Sequence, residues 1–290
     1  MNQTLAALEL GGTKTVVALG DHCGAVLEEW RYPTTTPQET LDTACRWLRE
    51  RGAVDRLGIA SFGPLRLDPR AHDYATMLQT PKQSWRGFSF ANYFSDHWPE
   101  LKFCIDTDVQ AALWAEMSMG AAQQCREALY ITIGTGIGAG MACHGRLVHG
   151  CMHPEMGHLM VRRHPDDRFA GLCPNHGDCW EGLASGPAIE KRWGQPAHTL
   201  PPDHPAWDMQ AYYLAQGLWT ASTMFSPQVM ILGGGVSQVP GLREKVIHHL
   251  AWWNGDYLEA LDERVKLPVL QQNAGIVGAL LLAAQRDENG

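Results

Sequence analysis

One local pattern occurs twice in this chain: an apolar strand, a glycine turn and a second apolar strand. Leu5–Leu10 leads through Gly11-Gly12 into Val16–Leu19, and Ala128–Ile133 leads through Gly134-Thr135-Gly136 into Gly138–Cys143. Apolar and β-branched runs punctuated by glycine predict hairpins. The repeat predicts two similar halves. At 290 residues the chain also exceeds the size at which a single hydrophobic core keeps growing. Two α/β lobes with a central cleft that houses the chemistry are therefore expected.

The remaining pattern fills in each half. Val26–Tyr32 extends the first hairpin to three antiparallel strands. Thr36-Pro37 supplies an N-cap and a first-turn proline, after which Leu41, Ala44, Cys45 and Leu48 recur at helical spacing. Leu57–Ser61 reads as a strand, 63–87 as a long loop, Lys102–Asp106 as a strand ending on an acid, and Val109–Ala122 as a helix. Helices are expected at about Glu181–Trp193, Met209–Phe225, Leu242–Trp253 and Ala274–Ala284, the last apolar enough to be buried. Val229–Leu232 reads as a strand closed by Gly233-Gly234-Gly235.

Between His153 and Gly186 lies an unusual density of thiols and imidazoles. Cys173, His176 and Cys179 form a C-x2-H-x2-C run rich in Pro and Gly, and His158 arrives from upstream. Two sulfurs and two imidazoles suit tetrahedral Zn²⁺, and four protein ligands close the site, so the ion would order a loop and not activate water. Glu155 and Glu181 bracket this loop. Two carboxylates in one place can accept hydrogen bonds from several hydroxyls, as a sugar requires, although solvated surface glutamates would look the same. His158 can serve metal and substrate together, one ring nitrogen ligating while the other donates. Asp166, Asp167 and Arg168 read as an exposed turn.

Glycine turns let backbone N–H groups approach phosphate oxygens closely. Gly11, Gly12, Thr13 and Lys14 make that offer from the first half, with a hydroxyl and a positive charge added. Gly134, Thr135 and Gly136 make it from the second, and Gly233, Gly234 and Gly235 could lie under a base or ribose. Each is weak alone; together they favour a nucleoside triphosphate held between the halves. Asp108 follows a strand end and opens a helix. There it could accept a proton from a bound hydroxyl, or simply cap the helix.

The formal charge of -8, from 31 acidic against 23 basic residues, comes with no Lys/Arg run, which argues against nucleic acid as a partner. No apolar segment reaches the length of a membrane span, and the amino end lacks the pattern of a signal peptide, so a cytoplasmic protein is expected. The eight cysteines fit a reducing compartment. Cys23, Cys45, Cys104, Cys125, Cys143 and Cys151 read as packing residues.

Taken together these motifs resemble the ROK family of sugar kinases and repressors, from Glu9 to about Ala284. LELGGTK is similar to the family's first phosphate loop, ITIGTGIGAG to its second and LGGGV to its adenosine segment. EMGH at Glu155–His158 is similar to the family's sugar-binding signature. Glu9 in place of the usual Asp, SFGP at Ser61–Pro64, TPK at Thr80–Lys82 and CPNHGDCWEG at Cys173–Gly182 look most like the bacterial fructokinase branch.

The resemblance implies a two-lobed actin/hexokinase-like (ribonuclease H-like) fold. A smaller lobe of 1–115 and 274–290 would be followed by a larger lobe of 116–273 carrying the zinc loop, with the last helix crossing back. It implies ATP-dependent phosphorylation of a hexose, D-fructose to fructose 6-phosphate first, with mannose, glucose or an N-acetylhexosamine as the alternative. Asp108 would be the general base, and Gly63, Thr107, Glu155, His158 and Glu181 would surround the sugar. Glu9 would face Mg²⁺ bound with ATP, His158, Cys173, His176 and Cys179 would hold zinc, and the chain would form a homodimer. The family's Asn-Asp-x-Asn reads Thr107-Asp108-Val109-Gln110 here, so the groups supporting the base differ. The early position of Gly11-Gly12 and the acidic charge speak against a repressor.

Overall fold

The computed structural model describes residues 4–52 and 54–285; the ends of the expected smaller lobe, 1–3 and 286–290, lie outside them. The chain divides into two units. One comprises residues up to Ala115, Val148–His153 and the chain from Gln272 onward, and the other comprises Glu116–Leu147 and Pro154–Gln271.

In the first unit, β1 (Leu5–Leu10), β2 (Lys14–Gly20) and β3 (Val26–Pro33) form an antiparallel meander. Helix α1 (Pro37–Arg49) begins at Thr36, whose hydroxyl accepts from Glu39 N, and buries Leu41, Ala44, Cys45 and Leu48. Strand β4 (Arg56–Ser61), helix α2 (Phe90–His97) and strand β5 (Lys102–Thr107) follow, and β4 and β5 add in parallel beside β1. The sheet order is β3-β2-β1-β4-β5. Its core joins Leu8, Leu10, Val17, Ile59 and Leu41 to Trp85, Phe90 and Phe94. The loop at 63–87 is therefore not loosely attached: Trp85 is fully buried and donates from Nε1 to Thr35 O.

Helix α3 (Asp108–Met119) leads to the second unit, where β6 (Ala128–Ile133), β7 (Ile137–Cys143) and the short β8 (Arg146–Leu147) form another antiparallel meander. Helices α4 (Trp180–Ala184), α5 (Gly186–Trp193) and α6 (Ala206–Phe225) precede β9 (Val229–Gly233). Helices α7 (Leu242–Asn254) and α8 (Leu261–Arg264) then lead to β10 (Val265–Lys266). The order β10-β9-β6-β7-β8, with β9 and β10 parallel to β6, repeats the plan of the first sheet strand for strand. The duplicated hairpin read from the sequence is thus the visible part of a duplicated five-stranded sheet.

Helix α9 (Ala274–Ala284) returns to the first unit and packs on its sheet. Contact there is backbone to backbone: a Cβ at Gly278 would overlap the Ala111 carbonyl, and one at Gly58 would overlap that of Ala279. Among the described residues no helix is long and apolar enough to cross a membrane.

Several details differ from the sequence reading. The helix expected at Glu181–Trp193 is two helices broken at Ser185, because Pro187 has no N–H for the carbonyl of Leu183 and its ring would clash there, so it fits only in the first turn of a new helix, α5. Asp167 does not sit in an exposed turn. It is buried, accepts from Tyr213 OH at 2.6 Å and pairs with Arg192 at 3.0 Å. Cys23 and Cys151 are exposed and do not pack in a core.

Candidate functional site

The first unit gathers Glu9, the β1–β2 turn, Gly63, Thr107 and Asp108 at the carboxyl ends of its parallel strands. Gly11 N donates to Lys14 O at 2.9 Å and closes the turn, while Gly12, Thr13 and Lys14 remain exposed. Thr34 braces it from β3, its Oγ1 donating to Gly11 O and its N–H to Thr13 O. Glu9 lies one residue before the end of β1, and its carboxyl fills the space opposite Gly275 of α9. A Cβ at Gly275 would stand 2.5 Å from Glu9 Oε1, so the longer acid at this position is matched by a glycine on the facing helix.

Helix α3 is capped by the neighbour of Asp108. Thr107 Oγ1 accepts from Gln110 N at 3.3 Å, so Thr107 performs the capping, and Asp108 Oδ1 accepts from the adjacent Val109 N at 2.9 Å. Asp108 is part-buried, and desolvation pushes its carboxyl up to about 6. Burial likewise pushes Glu9 up to about 7, the charge of Asp108 adding to the effect and Lys14 opposing it. The two acids thus share one electrostatic environment, which a cation or a proton would relieve.

Sequence reasoning passed over Asp106, His149 and His153. Asp106 Oδ2 meets His149 Nε2 at 2.7 Å, and Leu65 N donates to His153 Nε2 at 3.0 Å. The His153 ring also stands 3.2 Å from where a Cβ at Gly63 would lie, so this histidine backs the Gly63 wall. The only signal was the density of histidines in HGCMHPEMGH; the partners are distant in sequence.

The second unit gathers the other residues. His158 ends a single 3₁₀ turn, Met156–His158, which packs against β7 with Gly157 on the Ile137 backbone. Cys173 and Gly177 exchange backbone hydrogen bonds of 2.9 and 3.1 Å, folding the loop tightly enough to return His176 to Cys173, and Cys179 stands at the start of α4. Cys173 Sγ lies 3.7 Å from His158 Nδ1 and 3.6 Å from His176 Nδ1, and Cys179 Sγ lies 3.5 Å from His158 Nδ1. All four donor atoms fall within 4.8 Å of one another. Usual zinc bond lengths in a tetrahedron put sulfur and nitrogen about 3.6 Å apart, so the donor set fits that ion in type and spacing. Burial, with Cys173 adjacent, pushes the Cys179 thiol up to about 11, a cost that a bound dication would reverse.

Glu155 is exposed at the start of the 3₁₀ turn, and Glu181 lies in the first turn of α4, two residues beyond Cys179. Glu181 Oε2 accepts from Ile137 N at 2.9 Å, which ties the metal loop to the second glycine turn. That turn is closed by Gly134 N to Gly136 O at 2.9 Å, and Gly186 N, at the start of α5, donates to Gly134 O at 2.8 Å. The third glycine segment lies against β6: a Cβ at Gly234 would stand 2.5 Å from Ile133 N, whereas Gly235 faces open space. A hollow of about 440 Å³ lined by Glu28, Trp30, Trp47 and Arg51 contains none of these residues, and a 2.7 Å Arg51–Glu28 ion pair crosses its lining.

The model of the ROK family matches residues 5–286. The chain is 40% identical over 286 residues to the fructokinase of Zymomonas mobilis, covering 95% of each, and 37% identical over 284 residues to that of Pediococcus pentosaceus, covering 96% of this chain and 97% of the relative. Among solved structures, a ROK hexokinase from Thermus thermophilus superposes with a TM-score of 0.78 at 26% identity, over 97% of this chain and 98% of that one. The fold is accordingly actin/hexokinase-like, and the chain belongs to the ROK family.

Proposed function

We propose that this ATP-dependent sugar kinase phosphorylates D-fructose at its 6-hydroxyl, with Asp108 as general base. The observation that carries the mechanism is the state of Asp108: a part-buried carboxylate at a strand end, relieved of capping by Thr107, with a pKa of about 6. Such a group is ionised at neutral pH and basic enough to accept a hydroxyl proton as the oxygen attacks. The sugar oxygen gives its proton to Asp108 and bonds to the γ-phosphorus. The bond from that phosphorus to the oxygen shared with ADP breaks, and ADP leaves with the electron pair. Fructose is supported by the fructokinases at 37–40% identity that match nearly end to end.

Phosphoryl transfer asks a protein chiefly for charge neutralisation and placement. The amides of Gly11–Thr13 and Gly134–Gly136, with Lys14, would take the phosphate oxygens, and Gly233–Gly235 the adenosine. Mg²⁺ bound with the nucleotide would neutralise the transferring phosphate. Glu9, a hard oxygen donor under strain from burial and from Asp108, suits a hydrated dication of this kind. Glu155, His158 and Glu181 would hold sugar hydroxyls, with Gly63 and Thr107 shaping the site. Zinc on His158, Cys173, His176 and Cys179 would be structural, fixing His158 and Glu181 and leaving no position open for water.

ADP release measured with fructose, glucose, mannose and N-acetylglucosamine tests the reading. Fructose is expected to give the highest kcat/KM, with the phosphate on carbon 6. Fructose as the poorest acceptor would overturn the assignment in favour of another hexose.

A further inference from the structure

Val148–His153 belongs to the first unit although the chain on both sides of it belongs to the second. Side-chain hydrogen bonds hold this short strap. Gln110 Nε2 donates to Val148 O at 2.7 Å, His149 Nε2 meets Asp106 Oδ2 at 2.7 Å, and His153 Nε2 accepts from Leu65 N at 3.0 Å.

Asp106 is the pivot. Its side chain is 6% exposed, and while one oxygen holds His149 the other accepts from Thr107 N at 2.7 Å. Thr107 then caps α3 through Gln110 N, and α3 begins with Asp108. Hydrogen bonds therefore link the imidazole to the backbone and cap at Thr107, the residue directly before the one read as the base. Gln110, standing where the family has Asn, is long enough to close the circuit by reaching Val148 from inside α3.

We propose that His149 is a positioning residue for phosphoryl transfer: acting through Asp106, it sets the backbone at Thr107 and so the direction in which Asp108 presents its carboxylate. The inference rests on the reading of Asp108 as the base. The hydrogen bond and charge of Asp106 hold the His149 proton above the ordinary imidazole range, outweighing the desolvation that works against it. The other titratable groups beside Asp106 are Tyr74, which burial pushes up to about 12, and Cys104, whose sulfur accepts from Arg56. Because the imidazole pKa is raised, the ion pair is intact below the shifted value and is lost as pH rises through it. Turnover should then fall on the alkaline side through His149 and on the acid side through Asp108.

The test is kcat and KM for fructose from about pH 5 to 9 in the wild type, His149→Ala, His149→Gln and Asp108→Asn, with Tm for each. His149→Ala is expected to lose roughly tenfold in kcat with KM within about twofold, part of the ~10²-fold that a 1 Å misplacement can cost, and to lose the alkaline limb. His149→Gln, which keeps a neutral donor for Asp106 but no charge, should hold at every pH the lower kcat that the wild type reaches at high pH, above that of His149→Ala, and show no alkaline limb. A wild-type kcat in His149→Ala, a retained alkaline limb in His149→Gln, or a change confined to KM or Tm would overturn the proposal. If Asp108→Asn turns over normally, the base reading itself fails. If it is impaired while both His149 variants match the wild type, only the positioning role fails.

Discussion

The β1–β2 and β6–β7 hairpins occupy equivalent places in two sheets of the same strand order, yet they are equipped for different work. The first turn is exposed at Gly12–Lys14, has Glu9 in the preceding strand, and lies in the unit that carries Asp108. The second is clamped from outside, by Glu181 on Ile137 N and by Gly186 N on Gly134 O, and through Glu181 it is tied to the metal loop. A Cβ at Gly12 would meet nothing within 4 Å, whereas one at Gly136 would stand 2.5 Å from Glu181 Oε2. Two turns of the same plan thus differ in surroundings: the first stands open beside two acids whose pKa burial raises, and the second is held by hydrogen bonds from α4 and α5.

Removing the metal should break this contrast most. Chelation, or Cys179→Ser, is expected to lower Tm by more than ~10 °C, because structural zinc contributes several kcal/mol and a chain of this size loses about 2–4 °C per kcal/mol. The loosening should have a boundary. Hydrogen exchange should rise across Cys173–Gly182 but stay low near Asp167, which Arg192 and Tyr213 hold independently of the ligands. Exchange rising equally at both places would show that the loop has no separate anchor, and a purified protein without zinc would remove the metal from the account.

A smaller effect separates the two turns directly. Gly136→Ala should push Glu181 off Ile137 N, costing about 1 kcal/mol for the lost hydrogen bond and roughly 2–4 °C in Tm. Gly12→Ala should move Tm by less than about 1 °C, since nothing occupies the space its Cβ would enter. Equal losses in the two variants would contradict the asymmetry.

The smallest effect has the opposite sign. A carboxyl whose folded pKa is raised costs stability when ionised, and this cost grows as pH climbs from the ordinary carboxylate value, 3.8, through about 6. Because the buried amide must itself be desolvated and offsets most of this gain, Asp108→Asn should raise Tm at pH 7 by only roughly 2 °C, with the gain vanishing in acid. A loss of stability in that variant would mean that Asp108 serves the fold.

Most of the short-range structure was legible in the sequence. Both hairpins, the Thr36-Pro37 start of α1 and the clustering of Cys173, His176 and Cys179 declare themselves within a few residues, because turn geometry, capping and a tight loop are local. Helix α2 was missed because Phe90, Tyr93 and Phe94 sit among further aromatics that blur helical spacing; the one local clue was Ser89, whose hydroxyl caps Asn92 N. The break at Ser185 was written in Gly186-Pro187, and its purpose, Gly186 N on Gly134 O, is a contact across 52 positions that no window of sequence contains. The same holds for Asp167 with Arg192 and Tyr213, and for His149 with Asp106 at 43 residues' separation. In the candidate site, that Thr107 and not Asp108 caps α3 depends on which oxygen faces Gln110 N, which no spacing of residues shows.

The most direct test of the account is the rate of phosphoryl transfer from ATP to fructose in Asp108→Asn, measured with binding of both substrates across about pH 5 to 9. The account predicts a wild-type kcat that falls as pH drops through about 6, and a variant that binds ATP and fructose normally while turning over at least ~10²-fold more slowly with that acid limb gone. A variant that keeps near-normal turnover, or keeps the acid limb, would contradict it.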